Sequence, residues 1–413
     1  HGVTGTTDIG ISIPKITDNV GVPVIASENV AYLKDIRDKL TNPEATSALK
    51  DDRNMYQIVY SDGPTPYNLN QIFFVPTWQS GCADSQPASS FFSADPIEIT
   101  TNNELAWFMC YVNGLNGLAP HPTANGKLMA DVDMDDYIWL PMGVVDICHT
   151  YEDGEPTPYS GTFDGNGYVI TGLRNPGLPG YMYYGLFGKT YNATVKNTFV
   201  IGCDFTAEFS ENLYEEFMGE EFYAAVGSII GRMEEGTLAY SEGTGVLDVY
   251  SNKNNIKGRI NPGIVGGLVG GTFDATIHSS MAMADMKGFY EFAGGLVGAT
   301  SGGSIKNCFA NPKSSPSEHT FVFCGGLAGG ILDCAVENCY LLLERGFGEQ
   351  VEGHYNYSYY GHFAGLNWGG TILSCYAPSN GDLVGMSMGE VAAPSYGIFH
   401  APKAPYYYNA PTE

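Results

Sequence analysis

Four groups of residues in this chain have types and spacing that could carry chemistry. Gly385-Met386-Ser387-Met388-Gly389 has the spacing of a nucleophile elbow, where a serine on a strained strand-to-helix turn attacks an acyl carbon. That chemistry needs a helix directly behind the serine, and Pro394 stops one within a turn or two. His400 lies downstream, but the match reads as coincidence. Asp131, Asp133, Asp135 and Asp136 set carboxylates beside a strand, an arrangement that suits Ca²⁺. No D-x-D-x-D-G loop accompanies them, so turn-capping or solvated roles are expected and no metal is assigned. Glu208, Glu211, Glu215, Glu216, Glu220 and Glu221 are interleaved with Phe209, Leu213, Tyr214, Phe217 and Phe222. Spacings of three to five suggest an amphipathic helix, either laid along the body or projecting toward a partner.

The fourth group is the densest aromatic cluster: His354, Tyr355, Tyr357, Tyr359, Tyr360 and His362. Aromatic faces stack on sugars and anchor protein interfaces, so these six are the candidate ligand-binding residues. Alternating tyrosines also suit an ordinary packed strand. Tyr406, Tyr407 and Tyr408 invite the same two readings. No catalytic residue is assigned. Glycoside hydrolysis needs two carboxylates across a cleft. No repeated position holds a ladder of Asp or Glu, and Lys196, Arg232, Lys287 and Lys306 do not form a set. There is no H-E-x-x-H for a zinc peptidase. No cofactor is implied.

The elements that would position these groups come from a repeat. The pattern x-G-G-L-x-G appears as Tyr184-Gly185-Leu186-Phe187-Gly188, Val226-Gly227-Ser228-Ile229-Ile230-Gly231 and Val265-Gly266-Gly267-Leu268-Val269-Gly270. It continues as Ala293-Gly294-Gly295-Leu296-Val297-Gly298 and Cys324-Gly325-Gly326-Leu327-Ala328-Gly329, with a worn copy at Phe363-Ala364-Gly365-Leu366-Asn367-Trp368. The copies end at 188, 231, 270, 298, 329 and 368, in steps of 43, 39, 28, 31 and 39. Such a period means stacked units. Repetition also argues that the glycines mark structural corners or close backbone approaches, not a phosphate cradle.

A short alternating segment follows most copies, with the period of a strand that buries one face. Examples are Ala275-Thr276-Ile277-His278-Ser279-Ser280, Gly303-Ser304-Ile305-Lys306-Asn307-Cys308, Ala335-Val336-Glu337-Asn338-Cys339 and Thr371-Ile372-Leu373-Ser374-Cys375. The expected fold is therefore all-β, a right-handed parallel β-helix of six to eight coils. Ser280, Cys308, Cys339 and Cys375 would form one inward column, and Ile277, Ile305, Val336 and Ile372 another. Leu238-Ala239-Tyr240-Ser241 matches this strand poorly.

Composition agrees. Of 413 residues 53 are Gly, roughly twice the usual share. The net charge of −26, with 19 Lys and Arg in all, argues against nucleic acid, whose phosphates need clustered Lys and Arg, and equally against an anionic membrane surface. No apolar stretch is long enough to span a bilayer. The chain begins at His1 with no visible signal peptide, so a leader or lipid anchor is expected to lie outside it. Nine Cys include no C-x-x-C, and those in the repeat column read as small buried side chains, not disulfides.

The array has a beginning. Thr101-Asn102-Asn103-Glu104 is a capping box, Leu105, Phe108, Met109 and Val112 mark a helix, and Asn113-Gly114 ends it. This helix would cap the array. Asp164-Gly165-Asn166-Gly167 is a tight turn between two strands. The run through Glu104-Leu105, Asp131-Val132-Asp133, Trp139-Leu140-Pro141 and Gly161-Thr162-Phe163-Asp164-Gly165-Asn166-Gly167 to Gly185-Leu186-Phe187-Gly188 resembles the opening of a GLUG-motif protein. The later Gly-Gly-Leu-Val-Gly and Asn-Cys strands resemble its repeats. The resemblance covers about residues 97–378. It implies a secreted or cell-surface bacterial protein of adhesin type and supplies no catalytic residues.

Three regions follow: 1–96, a small α+β region; 97–378, the repeat domain; and 379–413, a Pro- and Tyr-rich tail. Within the first, a helix is expected from Ser27 to Thr41, strands at 56–60 and 71–75, and a linker at 81–93. The expected function is a surface or secreted binding protein that presents loops to an extracellular glycan or host protein, with possible assembly among surface proteins. The alternatives are a β-helix polysaccharide lyase or glycosidase, and a structural, fimbria-like subunit.

Overall fold

The computed structural model describes residues 56–60, 72–76, 86–135, 138–143, 157–175, 183–209, 224–251, 263–313, 320–342, 359–377 and 384–388. These residues are mostly strand, with two short helices, and nearly all the strands pair in parallel. The all-β expectation holds at that level.

Each repeat gives one strand to each of two sheets. Sheet I runs Phe187–Tyr191, Ile230–Glu234, Val269–Phe273, Val297–Ser301, Ala328–Leu332, Ala364–Trp368 and Val384–Met388. Sheet II runs from Ile97–Ile99, Gly126–Leu128 and Thr162–Asp164 through Thr194–Lys196, Thr237–Ala239, Thr276–His278, Ser304–Lys306 and Ala335–Glu337 to Thr371–Leu373. Sheet III takes the rest of each repeat. Pairing joins equivalent residues of successive repeats, so Ile277 faces Ile305, Ile305 faces Val336 and Val336 faces Ile372. All four are buried, and Val195 and Leu238 extend the column. Burying such a column is the main apolar gain of the stack, about 1.5–3 kcal/mol per side chain. The segment at 237–239, poorly matched by eye, is therefore fully in register.

The worn copy of the first motif needs correction. Ala328 pairs with Ala364 and Cys324 aligns with Tyr360. The copy is thus Tyr360-Gly361-His362-Phe363-Ala364-Gly365, three residues earlier than the spacing suggested. Phe363 fills the buried leucine position and His362 replaces the second glycine.

The glycines are corners, as expected. A Cβ added to Gly294 would run into the carbonyl of Val297 and sit 2.6 Å from the backbone nitrogen of Gly329. The chain turns here from sheet III into sheet I with no room for a side chain.

A second corner joins sheets II and III. Asn197, Tyr240, Ser279, Asn307, Asn338 and Ser374 all adopt left-handed backbone, with φ of 50°, 50°, 51°, 55°, 54° and 52°. The next residue closes each turn. Thr198, Ser241 and Ser280 donate their hydroxyls to the carbonyl two residues back at 2.9, 2.8 and 2.9 Å. Cys308, Cys339 and Cys375 do the same with their thiols at 3.2, 3.4 and 3.3 Å. The ladder also runs between repeats: Ser241 Oγ accepts the Thr198 N–H, and Ser280 Oγ that of Ser241, both at 3.2 Å. The inward cysteine column is present, and the cysteines in it are free thiols.

At the amino-terminal side the capping box forms as predicted. Thr101 Oγ1 accepts from the Glu104 N–H at 3.2 Å, and Glu104 Oε2 accepts from the Thr101 N–H at 3.0 Å. Helix α2 (Asn102–Asn113) ends at left-handed Gly114 and buries Leu105, Phe108, Met109 and Val112. The Phe108 ring lies 6.0 Å from that of Phe163 in sheet II. The turn at 164–167 is present, but Thr162–Asp164 and Val169–Thr171 enter different sheets and do not pair with each other. The linker expected at 81–93 is corrected in part: Ser89–Phe92 forms helix α1, and Phe92 packs edge-on against Trp107. Strands Tyr56–Tyr60 and Ile72–Pro76 pair antiparallel. The helix expected at 27–41 and most of the 379–413 tail lie outside the described residues.

The two kinds of glycine give a test. Gly294→Ala should destabilise the protein by about 1–3 kcal/mol through forced overlap. Gly271, with nothing within 4 Å of an added Cβ, should accept Ala neutrally or with a gain of up to about 1 kcal/mol. Urea unfolding of the two variants measures the difference.

Candidate functional site

Sheet III decides where variable sequence can go. Its strands come in two halves. Phe199–Phe209 and Ala224–Gly227 bracket residues 210–223; Glu242–Ser251 and Gly263–Gly266 bracket 252–262. Phe309–Ala310 and Thr320–Gly325 bracket 314–319, and Tyr340–Leu341 and Tyr359–Gly361 bracket 343–358. In the shortest repeat, Met281–Gly294 runs through both halves unbroken. These four insertions, and residues 176–182 between Arg174–Asn175 and Tyr183–Tyr184, therefore leave and rejoin at one edge of the repeated unit. The Glu-rich and aromatic segments singled out from sequence both start there. Glu208 and Phe209 belong to the strand; Glu211, Glu215, Glu216, Glu220 and Glu221 lie outside the described residues.

Of the six candidate aromatic-cluster residues, His354, Tyr355 and Tyr357 lie outside the described residues. Tyr359 and Tyr360 are in the returning strand. Tyr359 takes the register position of Phe323, which itself follows Phe292, and those two rings stack at 5.1 Å and 17°. Tyr360 takes the position of Cys324, a buried column that includes Val265 and Ala293. His362 sits in the glycine corner, half-buried, and its carbonyl lies 2.5 Å from where a Gly326 Cβ would be. The alternation thus divides the cluster between a strand, a corner and the insertion.

A charged face that the sequence did not reveal lies on the first half of sheet III. Register aligns Arg174, Asp204, Val246, Asp285 and Lys313 in one column. Thr206, Asp248 and Lys287 form the next column along. An extra residue bulges the strand between Val200 and Cys203, with Gly202 at φ 71° and its N–H bonded to Thr244 Oγ1 at 2.9 Å. Bulges of this kind re-aim the residues that follow, here Asp204. Burial pushes the Asp204 carboxyl above the usual carboxylate range, while Lys287 and Arg174 pull it back. Asp285 Oδ2 pairs with Lys287 Nζ at 3.6 Å, and its Oδ1 is buried with no hydrogen-bond partner among the described residues. Two strand spacings put Asp204 and Asp285 about 9–10 Å apart along the column. Each repeat supplies only one or two residues to this face, so no contiguous motif marks it. Aligning Asp204-x-Thr206, Val246-x-Asp248 and Asp285-x-Lys287 by the repeat would have exposed it.

The remaining candidates are structural. Asp131 Oδ1 accepts the Val169 N–H at 2.8 Å, Asp133 Oδ1 accepts that of Asp135 at 3.3 Å, and Asp135 pairs with Arg174 at 3.6 Å. Asp136 lies outside the described residues. Among the described residues no group of three acids, histidines or cysteines is placed to hold a metal. Ser387 lies inside the strand Val384–Met388, whereas a nucleophile elbow places its serine on the turn that follows a strand. A shallow cavity of about 200 Å³ lies by Phe92, Tyr111, His121, Asp95 and Asn125. Its amide is already used, since Asn125 Nδ2 donates to Asp95 Oδ1 at 2.7 Å and Oδ1 accepts from the Thr162 N–H at 2.8 Å.

No protein-family model matches this chain, and no curated protein matches it.

The charged face predicts a measurable titration. Lys287→Met removes a cation that holds the Asp204 carboxyl down, so the Asp204 midpoint should move further upward. Carbon-detected NMR titration of the side-chain carboxyl reads it. A downward shift would mean that the two groups do not share this face.

Proposed function

We propose that this chain is a bacterial surface or secreted binding protein of adhesin type, built on a right-handed parallel β-helix with a helical amino-terminal cap. On this reading residues 97–378 are the GLUG-type repeats and the inserted segments form the recognition face. One observation carries it: the insertions of the repeats between Arg174 and Gly361 all leave the same edge of the repeat, so variable sequence collects along one flank of a stiff scaffold. Loops held by a rigid frame are where binding residues concentrate. The binding partner is an extracellular glycan or host protein, and the aromatic residues of the last insertion and of its returning strand are its anchors.

The test is a glycan and host-matrix protein array probed with the purified chain. Specific binding should fall about tenfold in Tyr357→Ala with Tyr359→Ala, as loss of an anchoring aromatic does. The bound molecule should be recovered intact.

The charged face favours a second reading, a β-helix polysaccharide-degrading enzyme. Two carboxyls roughly 6.5–9.5 Å apart suit an inverting glycosidase, with a raised-pKa acid protonating the leaving oxygen and a carboxylate activating water. Asp204 would be the acid and Asp285 the base. Incubation of a polysaccharide panel with the chain and with Asp204→Asn distinguishes the readings. Shortened products lost in the variant establish the enzyme; intact polymer with both proteins leaves the binding reading in place.

A further inference from the structure

We propose that Cys339 and Cys375 form an oxidisable pair that fastens the last two repeats together, with Cys375 reacting first. The register brings them opposite each other: Glu337 aligns with Leu373 on one side, and Tyr340 bridges Tyr376 on the other. Neighbouring strands lie about 4.8 Å apart, within the roughly 4.4–6.8 Å between Cα atoms that a disulfide spans. The two side chains already touch chemically. Cys375 Sγ accepts the Cys339 N–H at 3.3 Å, and each thiol donates to the carbonyl two residues back, so the two sulfurs follow one another in the same ladder.

Exposure sets the order. Cys308 and Cys339 are fully buried, whereas Cys375 is the last of the column among the described residues and is part-exposed. An external disulfide can reach Cys375 alone among the three. Cys324 belongs to a different inward column and is buried.

The chemistry is ordinary thiol–disulfide exchange with a small disulfide such as oxidised glutathione. The Cys375 thiol gives its proton to solvent, and the thiolate attacks one glutathione sulfur. A protein–glutathione disulfide forms and one glutathione leaves as thiolate. Cys339 then loses its proton and attacks the Cys375 sulfur, which forms the Cys339–Cys375 bond and releases the second glutathione. Two protein thiols are oxidised and one glutathione disulfide is reduced to two thiols. Burial pushes the Cys339 thiol up, and the neighbouring Cys339 side chain together with burial pushes the Cys375 thiol up, so the exchange is slow at neutral pH. The product closes a loop that contains the whole 343–358 insertion, and so fixes the ends of the segment that carries Tyr355 and Tyr357.

The experiment uses the full folded chain, incubated with oxidised glutathione, alkylated, and analysed by intact mass and peptide mapping. The expected product has lost two hydrogens, about 2 Da, with a cross-linked peptide joining Cys339 to Cys375. Cys339→Ser should stop at a stable glutathione adduct on Cys375. Cys375→Ser should leave Cys339 unmodified, and Cys308→Ser should still cross-link. Serine fits this column, since Ser241 and Ser280 occupy it in earlier repeats. Recovery of Cys339 and Cys375 both alkylated after prolonged exposure, or a Cys308–Cys339 cross-link in their place, would overturn the proposal.

Discussion

The structure depends on each repeat satisfying the backbone of the next, at the corners as well as along the strands. The Tyr240 N–H reaches the His278 carbonyl at 3.2 Å, that of Ser279 reaches Lys306 at 2.9 Å, and that of Asn307 reaches Glu337 at 3.0 Å. An unpaired buried amide would cost about 1–3 kcal/mol. A corner that drifted by one residue would therefore lose its own bonds and its neighbour's. This constraint explains why only small hydrogen-bonding side chains, first hydroxyl and later thiol, follow the left-handed residue. Each closes its own turn from the inside while filling little space.

The same constraint confines variation. From Phe187 to Leu373 sheets I and II and both corners carry no insertion, because an added residue would break the alignment with two neighbours; sheet I is interrupted only at its outer edge, between Met142 and Tyr159. The junction between the halves of sheet III is different. Met281–Gly294 shows that nothing needs to be added there, and the other repeats show that up to about sixteen residues can be. Diversity thus accumulates on one flank, next to a charged face assembled from one or two residues of each of several repeats. A frame that tolerates change along one edge suits molecular recognition, which is the basis of the functional proposal.

The sequence made the repetitive part of this architecture readable because its causes are local and periodic. Alternation at 304–308 and 335–339 announced buried columns, and Thr101 with Glu104 announced the helix start. The last glycine motif was misplaced by three residues because Phe363 and His362 stand where leucine and glycine are usual. The spacing from Val336 to Ile372, and from Cys339 to Cys375, held the correct frame. The short helix at Ser89–Phe92 was hidden in a Ser- and Ala-rich stretch and is held by the contact of Phe92 with Trp107 and Tyr111. The charged face was invisible for a deeper reason. Its members have no common residue type or local spacing, and only the stacking brings them together.

The most direct test of stacking in register is a distance. Tyr191 and Trp368 are both exposed and occupy one column of sheet I, five strands apart. Nitroxide-bearing noncanonical residues at these positions, measured by pulsed electron paramagnetic resonance, should give a single distribution centred near five strand spacings, about 24 Å, broadened by the label arms. A separation well beyond that, or a broad spread of distances, would contradict the repeat-by-repeat alignment on which both the scaffold and its proposed recognition edge rest.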